Sequence, residues 1–155
     1  MDRLPVLIVE HSTQGLTPLK ESNVAPKYFL SGIFTEFDIE NRNQRIYTAD
    51  KFIPHMNELL ERKKQLGVIY GEFDHPDVFD TSLARVSHTV EKLVYNQNEN
   101  RIEGEIRLLS TKWGKEAKAL IDDNCPIFVS SRAAGITENN NTVTIKKLFT
   151  YLHTR

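Results

Sequence analysis

Leu83-Ala84-Arg85-Val86-Ser87-His88-Thr89-Val90-Glu91-Lys92-Leu93-Val94-Tyr95, followed by Asn96-Gln97-Asn98-Glu99-Asn100 and Arg101-Ile102-Glu103-Gly104-Glu105-Ile106-Arg107-Leu108-Leu109, is the stretch that decides how this chain folds. The first part alternates apolar and polar residues over much of its length, which predicts a long strand. The asparagine-rich middle reads as a hairpin turn, and the third part returns as the partner strand. A hairpin of this length commits the chain to antiparallel pairing.

Working outward, Leu4 to Glu10 is a short β-branched run and predicts a strand. Residues 11–27 are polar, carry Pro18 and Pro26, and read as a surface loop. Tyr28 to Asp38 predicts a second strand, and Asn41 to Arg45 a polar turn leading into Ile46-Tyr47. Thr48 is an apt N-cap, Phe52, Ile53, Met56, Leu59 and Leu60 follow helical spacing, and Gly67 closes the pattern. Pro54 removes a backbone donor, so the helix either begins near Ile53 or is kinked there. Val68 to Phe73 predicts a strand that delivers His75 at its end.

Beyond the hairpin, Ser110 would cap a second helix bearing Trp113, Ala117, Leu120 and Ile121 on one face, with Pro126 ending it. Ile127 to Arg132 predicts the strand that carries two serines, Gly135 to Asn141 a turn, and Thr142 to His153 a last strand. About seven strands and two helices result, with strands following strands. The expected class is therefore α+β: a mainly antiparallel β-sheet or small β-barrel with about two helices packed outside. Residues 1–155 read as a single domain, 1–27 being partly loop.

Composition narrows the function. With 39% hydrophobic and 26% charged residues the chain has the make-up of a soluble globular protein. Twenty basic against 21 acidic residues leave no electrostatic footprint for nucleic acid, so no nucleic-acid partner is expected. No apolar run approaches the ~20 residues that span a bilayer, so no membrane partner is expected either. The start, Met1 to Glu10, has too short an apolar core for a signal peptide. The single cysteine, Cys125, precludes an internal disulfide and fits a reducing compartment; beside Pro126 it has no evident activating cation.

Two short stretches carry potential chemistry. In Gly71-Glu72-Phe73-Asp74-His75-Pro76 a histidine ends an apolar run and a proline stiffens the exit. Histidine titrates near neutrality and suits general-base work, although these residues alone are equally an acidic turn. In Phe128-Val129-Ser130-Ser131-Arg132-Ala133-Ala134-Gly135 the two serines must point to opposite faces of the strand. Only one of them can meet a base across a pocket. Ala133, Ala134 and Gly135 would let backbone amides approach a substrate carbonyl. Glu72, Asp74, His75, Asp77 and Asp80 lack the helical His-x-x-x-His spacing of zinc peptidases, so neither metal nor other cofactor is expected.

Four motifs occur in order: Asn43-Gln44-Arg45-Ile46-Tyr47, Gly71 to Pro76, Ala84-Arg85-Val86-Ser87-His88, and Val129 to Gly135. Together they resemble the prohead maturation proteases of T4-like tailed bacteriophages, a group similar in fold to the herpesvirus assemblins. The similarity runs from about residue 30 to the end. The resemblance implies a serine endopeptidase of the procapsid interior or host cytoplasm that processes scaffold and capsid precursor proteins, cleaves after glutamate and works as a homo-oligomer. It implies that His75 is the general base and Ser130 the nucleophile, with Arg132 and Ser131 as oxyanion or substrate-binding residues. His153, on a strand after the serines, would be the third catalytic member, although the phage enzymes are expected to carry an acidic residue there. Arg132, Arg85 and Arg45 are alternatives for receiving a substrate glutamate. The phage enzymes continue beyond this point, which implies a truncated or self-processed chain. The rival reading is a non-catalytic capsid or tube assembly protein on the same fold.

Overall fold

The computed structural model describes residues 4–12, 14–18, 28–73 and 81–154, apart from the side chains of His11, His153 and Thr154. The decisive hairpin forms β5 (Val86–Asn96) and β6 (Arg101–Leu108), paired from His88–Leu108 to Asn96–Arg101 with a bulge between Val90 and Lys92. Along β6, Ile102, Gly104, Ile106 and Leu108 are buried while their neighbours are half-exposed, so strict alternation does bury one face. Asn100 closes the turn at φ 52°, a left-handed conformation that asparagine tolerates. Leu83–Arg85, expected as strand, is instead a short 3-10 turn leading into β5.

The remaining strands are β1 (Val6–His11), β2 (Thr17–Pro18), β3 (Tyr28–Glu36), β4 (Tyr70–Glu72), β7 (Phe128–Thr137) and β8 (Val143–Thr154). They form two sheets, in the orders β1-β7-β8 and β2-β3-β6-β5-β4, and every strand pair is antiparallel. The α+β expectation holds, as two open sheets rather than a closed barrel among the described residues. β2 falls inside the stretch read as loop; two residues are too few to leave a periodic signal. One cluster of apolar side chains joins the sheets, with Phe34 of β3 meeting Tyr151 of β8 at 4.9 Å between ring centroids.

α1 (Ala49–Leu66) lies against β8 and buries Phe52, Met56 and Leu59. It starts after Thr48 and ends at Gly67, whose φ of 83° glycine adopts without strain. Pro54 does not delay it. The bond it removes would have ended on the carbonyl of exposed Asp50, where water can take its place. α2 (Lys112–Asp122) is capped by Thr111 rather than Ser110: the Thr111 hydroxyl accepts from the Gly114 amide and donates to the Val86 carbonyl at 2.6 Å. It ends before Pro126, through Asp123 and left-handed Asn124.

Gly135 corrects another expectation. β7 continues through it to Thr137, with a shift of register against β8 between Ala134 and Gly135, and the turn comes afterwards. A Cβ at 135 would stand 2.8 Å from the Thr144 carbonyl oxygen and 3.2 Å from Ile8 Cδ1. The glycine serves a close approach between strands, which its sequence neighbours cannot reveal.

Candidate active site

β7 is the middle strand of its sheet. Ser130 faces His11 of β1 and Leu152 of β8 in register, and Ser131 faces Glu10 and Tyr151. Facing residues of neighbouring strands share a side, so Ser130 lies on the Arg132 face and Ser131 on the Val129 and Ala133 face. Both faces are covered: Ser130 and Arg132 have no exposed surface, and Ser131 has 3%. Ala133, Ala134 and Gly135 pair with β1 on one side and β8 on the other. Their amides therefore lie within a ladder, not in the open nest expected of an oxyanion hole.

On the Ser130 face, Arg132 Nη1 donates to Glu72 Oε1 at 3.0 Å, and neither side chain has any exposed surface. The Ser82 amide donates to the same oxygen at 3.0 Å, and Arg85 Nε stands 3.6 Å from Oε2. Arg85 also reaches the Phe73 carbonyl oxygen at 3.5 Å and lies over the Trp113 ring, which stacks on Phe73. Glu72 thus joins β7 to the end of β4 and to the chain that re-enters at Ser82. His75 lies outside the described residues, as does all of 74–80. Thr150, opposite Arg132 in register, donates to the Tyr70 carbonyl oxygen at 2.7 Å and fastens β4 to the same face of β8.

His88 resolves as a clamp. It is fully buried, with Nδ1 2.8 Å from Ser87 Oγ and Nε2 2.8 Å from the Tyr151 carbonyl oxygen. Burial pushes its pKa down to about 4, although the Tyr151 carbonyl opposes this. The ring is therefore neutral near neutrality, with Nε2–H donating to Tyr151 and Nδ1 accepting from Ser87. Gly71 makes room for it: a Cβ there would stand 2.0 Å from His88 Nε2 and 2.5 Å from the Tyr151 oxygen. His153 pairs with Val129, one position out of step with the Ser130–Leu152 pair; its side chain is outside the described set.

The first motif has a structural role on the opposite face. Asn43 Nδ2 donates to Glu10 Oε2 at 2.9 Å, while Arg45 Nη1 and the Tyr47 hydroxyl donate to Oε1 at 2.6 and 3.0 Å. Burial, with the Glu10 carboxylate next to it, holds the Tyr47 phenol well above its ordinary pKa. Glu10 and Tyr47 line a cavity of about 140 Å³ together with Ser131, Ile33, Phe34 and exposed Ile39. All three arginines proposed to receive a glutamate are thus held by internal carboxylates, Arg45 by Glu10 and the other two by Glu72. Sequence reading missed Glu10 and Glu72 as organising groups. The available signal was a carboxylate closing an apolar run, which a solvated strand end produces equally well.

The two antiparallel sheets share one apolar core, and the serine pair lies on the middle strand of the smaller sheet. The solved structure this chain resembles is that of the bacteriophage T4 capsid assembly protease, gp21: 99% of each chain aligns with a TM-score of 0.85 at 21% sequence identity. The family resemblance read from the four motifs therefore holds at the level of the fold. No protein-family model matches the chain, and no curated protein matches it.

Proposed function

We propose that the chain is a serine endopeptidase of phage procapsid maturation, acting on scaffold and capsid precursor proteins. The observation that carries this reading is the Glu72–Arg132 pair. It joins the face of β7 that holds Ser130 to the end of β4, three residues before His75 in the chain. Three residues of extended chain span at most ~11 Å, so the two motifs, 55 positions apart, have their starting points within reach of one another. The shared fold with a capsid assembly protease supports the reading, as an analogy of fold.

In this mechanism His75 takes the Ser130 proton as Oγ bonds to the scissile carbonyl carbon, and the amine leaves with that proton. Water then attacks the acyl-enzyme, giving up its proton to His75 and restoring Ser130. Arg132, on the Ser130 face, stabilises the developing oxyanion; Ser131 lies on the opposite face of β7, and His153 is in register with Val129 rather than with Ser130, so neither takes a step in the reaction. For cleavage after glutamate the recipient is Arg85, because its side chain is 41% exposed whereas that of Arg132 has no exposed surface. Partners are capsid precursors and further copies of the chain, inside the procapsid or host cytoplasm.

Complete burial of Ser130 favours an enzyme made latent and released by association or self-cleavage. The same burial also favours the second reading, a non-catalytic assembly protein on this fold. Fluorophosphonate labelling mapped by mass spectrometry, with cleavage of a scaffold peptide by Ser130→Ala and His75→Ala, separates the two. Label on Ser130 and loss of cleavage in both variants are expected. Label on Ser131 would exchange the serines, and unchanged cleavage by both variants would leave only the assembly role.

A further inference from the structure

Glu72 is an expensive residue to bury. Neither it nor Arg132 retains any exposed surface, and an ion pair taken wholly out of water often stabilises a fold no better than apolar side chains of the same volume. Orientation is what such a pair supplies. A guanidinium is rigid and planar, and a carboxylate held in place fixes where the nitrogen it accepts from, here Nη1, can sit. Glu72 is itself held: the Ser82 amide reaches the same Oε1 that takes Arg132 Nη1, both at 3.0 Å, and Arg85 stands 3.6 Å from the other oxygen. Arg132 lies two residues from Ser130 on the same strand face, about 7 Å along the strand.

We propose that Glu72 is a positioning residue for acyl transfer, acting through Arg132: it fixes the guanidinium at the angle from which it meets the oxyanion formed at Ser130. This rests on the serine-peptidase reading. A carboxylate is required because a neutral amide oxygen in the same place lacks the charge that strengthens the bond to the guanidinium. A residue that acts only through another has a recognisable signature. Its loss lowers kcat more than it raises KM, and it adds nothing once its partner has been removed.

The test uses the intact chain. Glu72→Gln, Arg132→Gln and the double variant are compared with the parent for the rate of fluorophosphonate labelling at Ser130 and for kcat and KM on a scaffold peptide. Measurements are made below each variant's melting temperature, with folding followed by Trp113 fluorescence. Glu72→Gln should label and turn over at least tenfold more slowly with KM within about threefold, and the double variant should be no slower than Arg132→Gln alone. Arg132→Lys, which keeps the charge but loses the fork, should show the same tenfold loss and serves if Glu72→Gln does not fold. Parent-like labelling by Glu72→Gln or Arg132→Lys, or losses that multiply in the double variant, would overturn the proposal while leaving the peptidase reading intact. A parent that cleaves the scaffold peptide yet carries no label at Ser130 would refute both.

Discussion

Acidifying the protein from pH 7.5 to pH 4 should destabilise it through one identifiable group, the imidazole of His88. The ring is buried between β5 and β8, its two nitrogens held by Ser87 and the Tyr151 carbonyl, and burial lowers its pKa from 6.5 to about 4. Above pH 6.5 the folded and unfolded chains both carry it neutral, and pH has no effect through this group. Between pH 6.5 and 4 the unfolded chain binds a proton that the folded chain refuses, so stability falls as pH falls. At about 1.4 kcal/mol per pH unit, that gap is worth about 3 kcal/mol once pH 4 is reached. Urea unfolding followed by Trp113 fluorescence, from pH 7.5 downward, measures it. His88→Gln is the control, because its amide can still donate to Tyr151 without titrating. Every other ionisable group is common to the two proteins, so the comparison isolates the histidine. The parent should lose about 3 kcal/mol more than the variant across the range. Parallel profiles would refute the clamp.

Other substitutions test the packing around the site. Gly71→Ala should cost about 3 kcal/mol or more in urea unfolding, since the new methyl meets the His88 ring and a backbone carbonyl, neither of which can swing away. Arg45→Met should cost about 2 kcal/mol in the same assay, because it leaves the Glu10 carboxylate, 10% exposed, without its cation. Thr111→Ala should lower stability by about 1 kcal/mol, read as a melting-temperature drop of about 2–4 °C, through loss of the α2 cap. Asp122→Asn, at a half-exposed pair with Lys118, should stay within about 0.5 kcal/mol of the parent.

What could be read from the sequence, and what could not, divides along one physical line. Alternation over Val86–Tyr95 and Arg101–Leu108 and helical spacing over Phe52–Leu60 are local signals, and they placed the hairpin and α1 correctly. Wherever a residue's reason lies across the fold, local reading fails or stays ambiguous. Gly135 looked like a turn because the neighbour it must avoid, Thr144, comes from the next strand. His88 could have been catalytic or structural until its partner carbonyl, 63 positions away, was known. Ser130 and Arg132 were recognisable as a motif, but the carboxylate that organises them lies 60 residues earlier.

The four motifs share that property. Asn43, Arg45 and Tyr47 converge on Glu10; Gly71 and His88 meet at the Tyr151 carbonyl; Glu72 joins Arg132 to Arg85. Each motif is one half of a buried polar contact whose other half is remote in sequence. Such contacts tolerate little substitution on either side, because removing one partner strands the other in a medium that cannot solvate it. Two of these contacts, Glu72 to Arg132 and His88 to the Tyr151 carbonyl, fasten β4 and β5 to the sheet that carries Ser130, and the Glu10 contacts tie residues 43–47 to its other face. The motifs point to chemistry only because the nucleophile of the proposed reaction sits where those fastenings meet.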